Sequence, residues 1–269
     1  MHKKRWMTGL IALPFIILLV YSTPPLFFAL FLCLVAVLAL WEYFRIVFAG
    51  GASAETLPMT IVAYFAASAM LLTAGAGKVP MIAPVMSVAL ILLAAASLPF
   101  FKNDMDVVAS IVRVAFSLVY IPLSLACLVL LKFDPHGAAE IFLILCIVAG
   151  GDIGAFYTGS YLGRHKLCPA VSPKKTIEGS LGGLLANLLI GLIFGRLFLP
   201  GTPLWGCLLI AVLGGAAGQV GDLFESEFKR AAGIKDSGAI LPGHGGLLDR
   251  IDALLLAAPL AFLLMRAIF

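Results

Sequence analysis

Apolar stretches long enough to cross a lipid bilayer recur along almost the whole of this 269-residue chain, and that recurrence constrains the fold more than any other feature. A hydrocarbon core about 30 Å thick takes roughly 20 mostly apolar residues in an α-helix. About nine such spans fit the sequence, near residues 6–22, 24–48, 57–74, 80–100, 107–131, 138–162, 178–199, 203–229 and 246–268. Only 12% of the residues are charged, about half the share usual in a soluble domain, so a water-soluble fold is excluded. The expected class is therefore an all-α polytopic membrane protein. Turn chemistry separates the spans at Thr23-Pro24-Pro25, Gly50-Gly51, Gly75-Ala76-Gly77, Asp134-Pro135-His136-Gly137 and Leu199-Pro200-Gly201. Pro14, Pro122 and Pro259 fall inside spans, where neighbouring helices can satisfy a freed carbonyl.

Basic residues fix the expected orientation. With a cytoplasmic N-terminus and alternating helices, Lys3, Lys4, Arg5, Arg45, Lys102, Arg164, Lys166, Lys174, Lys175, Lys229, Arg230, Lys235 and Arg250 fall inside. Lys78, Lys132, Arg196 and Arg266 fall outside, as the positive-inside rule requires. The N-terminal basic cluster precedes an apolar run but no Ala-x-Ala cleavage site, so it reads as a retained first helix rather than a signal peptide. The five cysteines stand singly, without CxxC spacing, and read as packing residues.

The two parts of the chain differ in kind. Residues 1–135 read as hydrophobic helices for packing, with dimer contacts as a further use, and 136–269 as the catalytic part, because nearly all polar clusters lie between Gly150 and Asp252. The first cluster places Asp152 among glycines inside a span, where an ionised carboxylate costs about 2.5–3.5 kcal/mol. The second, Ser172-Pro173-Lys174-Lys175-Thr176-Ile177-Glu178-Gly179, sets lysines and hydroxyls ahead of a helix N-terminus, an arrangement suited to phosphate. The third runs from Gln219 to Asp252. On a helix its Asp222, Glu225, Ser226 and Lys229 share one face, and Asp249 and Asp252 share another.

Carboxylates beside basic loops suit Mg²⁺-dependent phosphoryl or nucleotidyl transfer, because Mg²⁺ bridges carboxylate oxygens to substrate phosphates. Gly243, Gly245 and Gly246 would let backbone approach a phosphate closely before the last helix. No His/Cys set suggests zinc, and no Walker-type loop suggests an ATPase.

The stretch Ser226-x-Phe228-Lys229-Arg230-x4-Lys235-Asp236-x-Gly238-x2-Leu241-Pro242-x-His244-Gly245-Gly246-Leu247-x-Asp249-Arg250-Ile251-Asp252 closely resembles the signature of the phosphatidate cytidylyltransferases, the CDP-diacylglycerol synthases. The Ser172–Gly179 loop and the Asp152 segment resemble that family too, with Ile177 where an aromatic is common. The resemblance is specific over the second half of the chain. It implies a helical inner-membrane enzyme, active as a homodimer at the cytoplasmic face, that uses Mg²⁺, CTP and phosphatidic acid to make CDP-diacylglycerol and pyrophosphate. Membrane lipids are expected partners and nucleic acid is not.

On that reading Asp222 and Asp249 hold the metal, with Asp252 and Glu225 as further ligands or supports. Lys229, Arg230 and Lys235 bind the triphosphate or the lipid phosphate, and Ser172, Lys174, Lys175 and Thr176 the other. Asp152, Ser226, Asp236, His244, Gly245 and Gly246 complete the substrate-binding set.

Two competing readings are weaker. CDP-alcohol phosphotransferases carry an Asp-Gly-x2-Ala-Arg-x8-Gly-x3-Asp-x3-Asp pattern that this chain lacks. A transporter or channel would explain intramembrane Asp152, Asp222 and Asp249, but matching broken helices in two repeats are not seen.

Overall fold

A computed structural model describes residues 13–48, 53–101, 105–240 and 245–269. Among the described residues, eight helices are long and apolar enough to cross a membrane, and a shorter apolar helix, α1 (Leu13–Ser22), precedes them. The long helices are α2 (Pro25–Val47), α3 (Leu57–Gly75), α4 (Val79–Phe100, with a 3₁₀ turn at each end), α5 (Asp106–Leu131), α6 (Gly137–Leu162), α7 (Ile177–Leu197), α8 (Leu204–Ala231) and α9 (Leu248–Ile268). The all-α polytopic class and its set of about nine helices are thus present. The Gly50-Gly51 break and the basic residues Lys3, Lys4, Arg5 and Lys102 lie outside the described residues.

Local chemistry explains where helices start and stop. Pro24 is extended and Pro25 opens α2, the position where proline's missing N–H removes nothing. At the end of α3, Gly77 takes φ +71°. Its N–H reaches Ala74 O and that of Lys78 reaches Thr73 O, a Schellman closure. Pro122 does not break α5, because the helix widens into a π segment over Val119–Leu123 that accommodates the missing donor.

The chain forms two compact units, Met1–Phe133 with Ala232–Arg250, and Asp134–Ala231 with Ile251–Phe269. The division assigns 232–250 to the N-terminal helices, whereas sequence alone had grouped it with the second part. The physical reason is Glu42 of α2, whose buried carboxylate binds that segment as described below. Large side chains fill the first unit: Leu40, Tyr43, Met59, Met70, Leu71, Leu93, Leu118 and Ile121 are fully buried. Tyr43 Oη donates to the Arg113 carbonyl at 3.1 Å and so joins α2 to α5.

Small residues build the second unit. Helices α6 and α7 pack along their lengths through a glycine seam. A Cβ on Gly154 would come within 2.6 Å of Ala186 Cβ, and one on Gly182 within 2.1 Å of Thr158 Oγ1. Backbones can approach this closely only where side chains are absent.

The segment between α6 and α7, read from sequence as a loop, is an antiparallel hairpin of β1 (Lys166–Cys168) and β2 (Ser172–Thr176), with Lys166 opposite Thr176 and Cys168 opposite Ser172. Thr176 ends the strand and caps α7, accepting the Gly179 N–H at 3.1 Å. Glu178 reaches back to the N–H groups of Arg164 and His165 and to the His165 ring at 2.6 Å, fastening the hairpin's entry to the helix start.

Candidate active site

Within the second unit a cavity of about 510 Å³ opens where β2, α6, α7 and α8 meet. Its polar lining comprises Asp152 and Ser160 from α6, Lys174, Lys175 and Thr176 from β2, Ser180 from α7, and Gln219 and Asp222 from α8, and Phe156 adds an aromatic wall. Residues from all three sequence clusters thereby reach one space. Lys175 Nζ lies 2.6 Å from Asp222 Oδ2, each side chain about one third exposed or less. A cation already stands against this carboxylate.

Three polar residues of this lining, Ser160, Ser180 and Gln219, carry no role in the sequence reading. Ser180 Oγ donates to Gln219 Oε1, and Gln219 Nε2 donates to the Ser180 carbonyl at 3.0 Å, so the pair clamps α7 to α8 one turn from Thr176 and Asp222. Gln219 stands in a glycine-rich apolar run. A polar side chain in such a run was the available signal.

Other expected site residues in this unit lie outside the cavity lining. Ser172 starts β2 opposite Cys168. Arg230 Nε donates to the Val171 carbonyl at 3.2 Å and ties the end of α8 to the hairpin turn. Glu225 is fully buried and forms an ion pair with Lys229 one turn later, which is itself nearly buried, and Ser226 is buried beside them. Asp252, in the second turn of α9, accepts the Ala253 N–H at 2.7 Å. The charges of Asp222, Asp152 and Lys229 all act on it. At Gly221 of α8 an added Cβ would meet the Asp252 carbonyl at 2.6 Å, so glycine lets α9 approach there.

The remaining expected residues belong to the first unit. Lys235 and Asp236 are exposed, and His244 lies outside the described residues. Asp249 accepts the N–H groups of Ser237 at 3.0 Å and Gly246 at 2.9 Å, tying both to the start of α9. Gly245, just before Gly246, takes φ +81°. The close approach that glycine permits at Gly246 is to protein oxygen: a Cβ there would sit 1.9 Å from Ser237 Oγ and 2.6 Å from Glu42 Oε2.

Glu42 is the residue that sequence reading missed. Its side chain is wholly buried and accepts the Ser237 hydroxyl at 2.9 Å, the Leu247 N–H at 3.0 Å and the Leu248 N–H at 2.7 Å. Burying a carboxylate costs several kcal/mol, and three hydrogen bonds to a charged acceptor return about 1.5–3 kcal/mol each. The N-terminus of α9 also favours an anion. The carboxylate stays satisfied in the core only while these three partners stay in place.

The match to known proteins spans the whole chain. The model of the "Cytidylyltransferase family" covers residues 3–268. A protein of Pseudomonas aeruginosa named phosphatidate cytidylyltransferase is 37% identical over 99% of this chain and 98% of its own length. One of Bacillus subtilis with the same name is 40% identical over half of each chain. An uncharacterized Escherichia coli protein, YnbB, is 42% identical over 48% of this chain and 43% of its own. With a family match from end to end and a full-length relative above 30% identity, the chain belongs to the cytidylyltransferase family.

Proposed function

We propose that this membrane protein is a nucleotidyltransferase that moves the cytidylyl group of CTP onto phosphatidic acid, yielding CDP-diacylglycerol and pyrophosphate for phospholipid synthesis. One observation carries the chemistry: the cavity whose lining unites Lys174 and Lys175 with Asp152 and Asp222, Lys175 in contact with Asp222, in a chain similar throughout its length to a phosphatidate cytidylyltransferase. Neither the family match nor the helices give support to a transporter or channel.

The reaction asks for positioning and charge compensation more than for covalent help. A phosphate monoester is largely dianionic near neutral pH, so no general base is required. One oxygen of the phosphatidate phosphate attacks the α-phosphorus of CTP. The new P–O bond forms as the bond from the α-phosphorus to the bridging oxygen breaks, and pyrophosphate leaves with that electron pair. Lys174 and Lys175, beside the capped start of α7, neutralise phosphate oxygens as charge shifts to the leaving group. In this reading Lys175 exchanges Asp222 for phosphate, and Arg230 and Lys235 assist the second phosphate group. Ser172, Ser226, Asp236 and His244 complete the substrate set.

The donors present fit Mg²⁺. Asp222 already holds a cationic group, Asp252 lies within electrostatic reach of it, and Asp152 lines the same cavity. Among the described residues no three His, Cys, Asp or Glu side chains converge into a closed metal cage, and Mg²⁺ ordinarily takes one or two carboxylates with substrate oxygens completing its shell. Asp222 and Asp252 would hold the ion, with Asp249 one turn earlier on α9. An Mg²⁺ ion held there would supply positive charge to offset the charge that develops on the transferred group.

In this proposal the site lies at the cytoplasmic side of the inner membrane, with the N-terminus inside and the enzyme a homodimer; the uneven placement of basic residues along the sequence supports that orientation. The test is incorporation of radiolabelled CTP into lipid by purified protein in micelles with phosphatidic acid and Mg²⁺. Label should require both substrates, vanish with EDTA and return with Mg²⁺. Lys175→Ala and Asp222→Asn should each lower it by about 100- to 1000-fold. Folded protein that incorporates no label would sink the reading.

A further inference from the structure

We propose that Glu42, in α2 and outside every motif of the second half, is a positioning residue for this reaction: its carboxylate holds Ser237 and the Gly246–Asp249 start of α9 in place. The inference rests on the cytidylyl-transfer reading for its kinetic part.

The argument begins with a mismatch. α2 is otherwise a packing helix, yet it carries a wholly buried carboxylate. All three of the carboxylate's hydrogen-bond donors come from residues about 200 positions later, the Ser237 hydroxyl and the Leu247 and Leu248 N–H groups. The first four N–H groups of a helix lack partners within it. Glu42 takes the N–H of the first residue of α9 and that of the residue before it, so it caps the helix from another element.

Ser237 then links Glu42 to Asp249. Its hydroxyl donates to Glu42, its N–H donates to Asp249, and the Asp249 N–H approaches its hydroxyl at 3.4 Å. Glycine is required on both sides of the carboxylate. A Cβ on Gly238 would stand 2.4 Å from Glu42 Oε1, and one on Gly246 2.6 Å from Oε2. These two glycines of the signature therefore make room for Glu42. Asp249 rides on the helix start that Glu42 fixes, so its placement depends on a residue in the part of the chain read as packing alone.

Glu42→Gln tests this, because the carboxamide keeps size while replacing one acceptor oxygen by a donor that faces N–H and O–H groups. Two readouts are taken on the full-length protein in micelles. Hydrogen–deuterium exchange should become faster in the Ser237 and Gly245–Asp252 segments while α6–α7 keep their protection. kcat should fall by about a hundredfold, the scale of a 1 Å misplacement near the chemistry, with KM for CTP changing far less. Unchanged exchange, or faster exchange with kcat preserved, overturns the proposal. If the variant does not fold, Ser237→Ala removes one of the three donors, and a smaller loss in kcat with the same exchange pattern is expected; no change in either overturns the proposal. A parent protein without turnover would count against the cytidylyl-transfer reading, and the exchange readout alone would then decide whether Glu42 holds the segment.

Discussion

The two compact units solve the problem of helix packing in opposite ways. The first interlocks large side chains, among them Leu40, Met59, Met70 and Leu71. The second removes side chains along α6 and α7, so that Gly154 and Gly182 meet neighbours at distances where no Cβ fits. In a lipid environment apolar burial gives little net drive for helices to associate, and van der Waals fit and hydrogen bonds do that work. Large-residue packing then yields a tolerant scaffold, while glycine packing fixes backbone to backbone. That rigidity is what Lys175 and Asp222 need to meet at 2.6 Å across β2 and α8.

If this contrast holds, substitutions of similar size should separate activity from stability. Among packing variants the largest effect on turnover is expected for Gly182→Leu, whose first side-chain carbon already collides with Thr158. Prising α7 from α6 should lower turnover by about a hundredfold, measured as lipid-incorporated label per folded molecule. Near-parent turnover would break the comparison. Leu71→Ala, in the large-residue core, is expected to act on stability instead. Cavity-forming Leu→Ala changes cost about 2–5 kcal/mol in soluble proteins, and about 2 kcal/mol is expected here because the hydrophobic part of that penalty is weaker in lipid. A lowered Tm in micelles with turnover retained would sharpen the contrast. The smallest effect belongs to Arg266→Ala, which deletes the ion pair to Asp134 at 2.5 Å. The arginine is nearly half exposed, so screening limits the change to less than about 1 kcal/mol.

What was legible in the sequence follows from the range over which its physics acts. Spans were legible because a run of 20 apolar residues is a local property: residues 107–131 were read as a span, and Asp106–Leu131 is a helix. Asp152, Lys174, Lys175 and Asp222 stood out because charged and polar groups are costly in apolar surroundings. The hairpin was not legible. Its strands have three and five residues, and Pro173 with two lysines reads as loop. Glu42 was hidden because Trp41, Tyr43 and Phe44 around it read as the end of a span, and its hydroxyl partner lies 195 residues away. The Ser180–Gln219 pair, 39 residues apart, escaped for the same reason.

The hairpin carries one more consequence. Successive residues of a strand point to opposite faces, so adjacent Lys174 and Lys175 are not interchangeable: parity within β2 selects which of the two meets Asp222. The turn at Pro169-Ala170 could absorb an extra residue, since it lies outside the paired positions. One residue inserted between Ser172 and Thr176 would reverse the alternation and separate Lys175 from Asp222. The tolerance of this region to length change should therefore switch from permissive to forbidding within a few residues.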